Sequence, residues 1–149
     1  MTGQTLLGFD YGESKVGVAA GNTVAGSASA LSIIRYRSRA ELFGAIERLI
    51  TEWSPQKLIV GRPLTETGEP SPVTGLAERF ARRLEGRFGL PVAMIDERYT
   101  SLEAQAEIAA DRADKRHNLN QFRPDHPRDD DAVAAAIILR QYLNEHSTP

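Results

Sequence analysis

Carboxylates at the ends of apolar strands are the residues best placed for chemistry in this 149-residue sequence. Asp10 closes the run Leu6-Leu7-Gly8-Phe9, directly before a Tyr11-Gly12-Glu13-Ser14 turn. A carboxylate there is costly to bury unless something cationic meets it. Asp96 and Glu97 end a second apolar run, Val92–Ile95, in the same way. Ligands of parallel α/β sheets bind beyond the carboxyl ends of strands, so both positions could face one crevice. A third acidic group, Asp129-Asp130-Asp131, opens a helix of small apolar residues. At helical spacing Asp131 shares a face with Ala135, Ile138 and Tyr142, a face suited to close packing on a sheet.

Carboxylates without cysteine are hard oxygen ligands, suited to Mg²⁺ or Mn²⁺ rather than zinc. Two such ions can clamp the attacking water and the leaving oxygen of a phosphodiester. Structural roles compete at each position. Asp129 or Asp130 would serve as a helix N-cap, and Asp96 could pair with Arg98. His117, His126 and His146 lack ligand spacing; only His117 invites a test as a proton shuttle.

The elements that must position these groups follow from periodicity. The opening TLLGFDYGESKVGVAAG reads as a strand, a tight turn and a second strand through Val16 and Val18. Residues 28–34 suit a third strand, after which Arg35, Arg37 and Arg39 in extended chain would place three cations on one face. Ser38 with Glu41 makes a capping-box start for a helix through Leu42, Ala45, Ile46, Leu49 and Ile50, ended by Pro55. Lys57–Val60 is a short buried strand. Arg62–Pro72 reads as a loop, and a helix with Leu76, Phe80, Arg83, Leu84 and Arg87 stops near Gly89. Residues 92–96 form another strand, and Thr100 with Glu103 caps a helix to about Ala110. Residues 111–128 show no periodicity, as functional or irregular segments do. The order β-β-β-α-β-α-β-α-α predicts an α/β fold with a mixed sheet, antiparallel in its opening hairpin and parallel later.

Composition bounds the rest. With 41% hydrophobic and 26% charged residues, the chain suits one globular domain spanning 1–149. No signal-like or membrane-spanning run occurs, so a cytoplasmic location is expected. The net charge of −2 does not announce a nucleic-acid binder. Its distribution does: residues 112–128 hold Arg112, Lys115, Arg116, Arg123 and Arg128 against Asp114 and Asp125. A basic face is sufficient to attract phosphate. Arg79, Arg82, Arg83 and Arg87 form a second cluster, which Glu78 and Glu85 could neutralise. Tyr99 or Phe122 could stack an unpaired base.

Four ordered segments, GFDYGESKVGVAA, IVGRPLTETGEPSP, DERYTSLEA and DDDAVAAAIILRQYL, resemble the signatures of the YqgF/RuvX family. The resemblance runs from Leu6 to Leu143 and implies an RNase H-like fold with a five-stranded sheet flanked by helices. It implies a Mg²⁺- or Mn²⁺-dependent nuclease that processes the 5′ end of pre-16S rRNA, similar also to the RuvC resolvase. Carried over by motif, the metal-holding acids fall on Asp10, Glu97 and Asp131. Two departures concern cations: Lys15 stands where the family usually has Arg, losing a bidentate fork, and Arg62 replaces a commonly apolar residue. The expected nucleic-acid contacts are therefore Lys15, Arg62, Arg98, Thr100, Arg112, Lys115, Arg116 and Arg123.

Three rival functions remain at this level. A four-way-junction resolvase would need a homodimer placing two sites on two strands. A non-catalytic nucleic-acid-binding module would keep the fold without needing the acids. An actin-like or sugar-kinase phosphotransferase shares the D-x-G turn but needs a second domain to close over nucleotide.

Overall fold

The computed structural model describes residues 3–65, 67–96 and 130–146, with Asp130, Asp131 and His146 described through their backbone. Five strands form one sheet in the order β3-β2-β1-β4-β5. They are β1 (Thr5–Asp10), β2 (Lys15–Asn22), β3 (Ser27–Arg35), β4 (Lys57–Arg62) and β5 (Val92–Asp96). The hairpins β1–β2 and β2–β3 are antiparallel, whereas β4 runs parallel to both β1 and β5. This is the mixed sheet expected from the element order. The β2–β3 register shifts between Val18 and Ala19, leaving Leu31 as an extra residue on β3.

Strand alternation sorts the core into two layers. Leu7, Phe9, Val16, Val18, Leu58 and Val60 project to one face, where they meet α1 (Arg39–Trp53) and α2 (Pro72–Phe88). Leu6, Ala19, Ile59 and Ile95 project to the other, against Ala135, Ile138, Leu139 and Tyr142 of α3 (Asp130–His146). Each helix is thus buried through one stripe.

Local chemistry explains the boundaries. Ser38 caps α1 by accepting from the Glu41 backbone N–H at 3.2 Å. Glu41 reaches back to the Arg37 N–H, one residue before the cap, at 3.1 Å. Ser54 ends the helix in the left-handed region at φ 47°, next to Pro55. The second helix begins earlier than its apolar periodicity suggests. Pro72 occupies the first turn, where a missing N–H costs nothing, and Ser71 and Thr74 form the capping box. The segment Arg62–Pro72 is accordingly shorter as a loop, since β4 includes Arg62 and a bridge joins Leu64 to Pro70.

The three arginines do not share one extended edge. Strand β3 ends at Arg35 and Arg39 already opens α1, because the Ser38 cap turns the chain. The helix expected over 100–110 and the irregular stretch 111–128 lie outside the described residues. Among those described, no helix is long and apolar enough to cross a membrane.

Candidate metal and nucleic-acid site

Asp10 ends β1 at the C-terminal edge of the central strands. Alternation from buried Leu6 through Gly8 puts it on the α3 face of the sheet. Its cross-strand partner on β2 is Gly17. On the other side Phe9 pairs with Val60, so the next residue, Gly61, flanks Asp10 on β4. Neither neighbour carries a side chain on that face. A half-buried carboxylate therefore stands between two glycines rather than within an apolar row.

The last helix runs antiparallel to β1 across this face. At its far end Lys57 Nζ donates to the Tyr142 hydroxyl at 2.6 Å, and Arg140 donates to the Ala28 carbonyl at 3.0 Å. Nearer the middle, a methyl group on Gly8 would meet Leu139 Cβ at 3.1 Å and the Ala135 carbonyl at 3.2 Å. Strand and helix touch where glycine permits close approach. Asp10 lies two residues past Gly8, and the backbone of Asp131 lies one helical turn before Ala135. The strand end and the helix start thus meet at the same edge of the sheet.

Asp96 behaves differently from Asp10. It follows Ile95, which faces α3, and so projects to the α2 side. There Arg62 bridges two carboxylates, Glu78 at 3.2 Å and Asp96 at 3.4 Å. These contacts, Glu78 foremost, hold the guanidinium pKa above its ordinary value. One expectation is corrected: Glu78 serves Arg62 rather than its helical arginine neighbours. Asp96 meets Arg62, and the expected Asp96–Arg98 pair lies outside the described residues. Asp96 and Asp10 also face opposite sides of the sheet. Glu97, Arg98, Thr100, Arg112, Lys115, Arg116 and Arg123 lie outside the described residues.

Lys15 begins β2 directly opposite Arg35 on β3. Both precede or follow residues buried against α1 and α2, so both project to the face of Asp10. Two cations thus stand opposite each other on this rim. Arg35 was not among the expected contacts; its signal was the Arg35, Arg37, Arg39 alternation, read there as one continuous edge. The turn after Asp10 is fastened by the Tyr36 hydroxyl, which donates to the Gly12 carbonyl. Burial, then interaction with the Tyr11 hydroxyl, pushes the Tyr36 pKa well up and keeps that donor protonated.

A mixed sheet ordered β3-β2-β1-β4-β5 with helices on both faces is an RNase H-like fold. The match to solved structures agrees. RuvC of Thermus thermophilus, in complex with a Holliday junction substrate, aligns with TM-score 0.57 at 14% identity over 97% of each chain. The fowlpox virus Holliday junction resolvase aligns with TM-score 0.58 at 14% identity, over 95% of this chain and 99% of that one. Sequence narrows the class. Residues 4–145 match the family model RuvX, described as Holliday junction resolvase. A Paraburkholderia xenovorans protein named "Putative pre-16S rRNA nuclease" is 49% identical over 142 residues, covering 94% of this chain and 88% of that protein. A Bordetella pertussis protein of the same name is 46% identical over the whole of both chains. This chain belongs to the RuvX family.

Proposed function

We propose that this protein is a divalent-metal-dependent nuclease acting on the 5′ end of precursor 16S rRNA. The observation that carries the reading is the meeting of Asp10 with the start of α3 on a glycine-flanked stretch of the sheet. Asp10, Glu97 and Asp131 would hold Mg²⁺ or Mn²⁺. The family resemblance gives this role to Glu97, and Asp96 is engaged with Arg62 on the opposite face. An all-oxygen donor set fits these hard cations, and Gly17 and Gly61 put no side chain directly beside Asp10 in the pairing register.

Such an ion, when bound, acts as a Lewis acid toward the phosphoryl oxygen and lowers the pKa of water. The chain's own part is positioning. Asp10 is fixed by β1 and by the Tyr36-anchored turn, while Lys15 and Arg35 attract the phosphodiester to the same face. Action on precursor rRNA carries a cytoplasmic location with it. The names of the close relatives support the RNA substrate, and the family description supports a second reading, resolution of four-way DNA junctions.

Cleavage of a precursor rRNA end, a synthetic four-way junction and a linear duplex, each with and without Mn²⁺, separates the readings. Mn²⁺-dependent cleavage of the RNA is expected, absent in Asp10→Asn. Preferential, symmetric cutting of the junction by a dimer would instead establish the resolvase. Binding without metal-dependent cleavage of any substrate would leave only a binding module.

A further inference from the structure

On the opposite face of the sheet from Asp10, at the same strand end, α1, α2 and the turn after β1 line an open pocket of about 260 Å³. Its polar lining is Tyr11, Glu13, Tyr36, Arg39, Arg79 and Arg83, with Phe80 beneath. Tyr11 is the residue after Asp10, and its ring packs on Phe80 with centroids 4.9 Å apart. Three guanidinium groups therefore converge where one carboxylate, Glu13, is the single acidic group of the lining. Among the described residues no carboxylate stands at ion-pairing distance from Arg39, Arg79 or Arg83. Burial, and then the charges of Arg39 and Arg79, press on the cationic form of Arg83. With no carboxylate paired to it among the described residues, the cluster suits an anion, and planar guanidinium forks match phosphate geometry. Tyr36, kept neutral, adds a hydroxyl at the rim.

We propose that this cavity binds a backbone phosphate of the substrate strand, away from the bond cleaved at Asp10. The assignment rests on the nuclease reading and deepens it. Consecutive Cα atoms lie about 3.8 Å apart, so Asp10 and Tyr11 send their side chains to two faces from almost one point. A strand passing over the edge of the sheet meets the acids on one side and the arginines on the other. The site thus sets which nucleotide of a bound strand lies over Asp10.

The test is anisotropy of end-labelled single-stranded RNA, titrated with the full chain in EDTA across a salt series. An Arg79→Gln/Arg83→Gln double variant is expected to bind on the order of tenfold more weakly, with a salt slope shallower by about one. Glu13→Gln should bind more tightly than wild type. Should the double variant fail to fold, Arg39→Gln, on a different helix, must weaken binding by roughly threefold. Unchanged affinity and slope in folded variants would overturn the subsite. If they also cleave the RNA with Mn²⁺ at an unchanged KM, the nuclease reading stands without it. Wild-type protein that neither binds nor cleaves RNA would sink both together. Inorganic phosphate supplies the remaining arm. If phosphate stabilises wild type but not the double variant, while both bind RNA equally, the cavity takes free phosphate and the strand assignment fails.

Discussion

Gly8 and Ala135 approach so closely that a β-carbon on Gly8 would stand 3.2 Å from the Ala135 carbonyl oxygen. That contact fixes the height of α3 above β1, and with it the distance from the helix start to Asp10. A backbone oxygen cannot rotate aside as a side chain can. Gly8→Ala is therefore expected to push the helix outward. Overpacking costs about 1–3 kcal/mol, partly offset by a gain of about 0.4–1 kcal/mol from a stiffer unfolded chain. A net loss of about 1 kcal/mol, read by chemical denaturation, should accompany a larger proportional loss of cleavage.

Asp10→Asn tests the proposed metal site from the other side. Mn²⁺-dependent cleavage should vanish, while the Tm in metal-free buffer stays at or above that of wild type. Asparagine keeps the size and hydrogen-bonding shape of the side chain while removing the charge that an ion would need. Wild-type stabilisation by added Mn²⁺ should also disappear in the variant. Retained cleavage would remove Asp10 from the site.

Tyr36→Phe removes the hydrogen bond that fastens the turn after Asp10. The loss should be about 0.5–1.5 kcal/mol at neutral pH. Its pH dependence carries a definite sign. The folded-state pKa lies above the ordinary value of about 10, so above that pH the unfolded chain releases a proton that the folded chain keeps. The contribution is complete below pH 10 and declines as pH rises toward the folded pKa. The stability difference between wild type and Tyr36→Phe should shrink across that alkaline range. A constant difference would contradict the assignment.

Arg62→Met breaks the bridge between Glu78 on α2 and Asp96 on β5. Two carboxylates would then face each other with no cation between them. The Tm should fall at low ionic strength and recover toward the wild-type value in high salt, because screening relieves exposed charges. Arg62→Lys should restore only part of the loss, since an ammonium does not fork between two carboxylates. Salt-independent destabilisation would point to packing of the arginine stem instead.

Much of this architecture was legible because each strand carries its own period. Val16 and Val18 bracket Gly17, and Leu58 and Val60 bracket Ile59, so their facing follows from alternation alone. Ser38 announced the start of α1 through its cap. Other features depended on contacts distant in sequence. Whether Asp96 pairs with Arg98 or Arg62 cannot be decided by spacing, because it depends on β4 lying in parallel register beside β5. The arginines of α2 were visible as a cluster, but the cavity that collects Arg79 and Arg83 needs Arg39 from α1 and Tyr11 from β1. Strand-end position made Asp10 conspicuous, yet the two flanking glycines gain meaning only when β2 and β4 are paired to β1.

The order of synthesis gives the α3 packing a further consequence. Leu6, Ala19, Ile59 and Ile95 form an apolar face whose partner is a helix from the end of the sequence. A ribosome-bound chain completes all five strands before that helix emerges. Until then these four residues lack the partner that covers them, and Asp10 lacks the helix start that meets its strand end. On the proposed ligand set, an unfinished chain cannot assemble its cutting centre. Cleavage competence and the covering of that apolar face would arrive with the same helix.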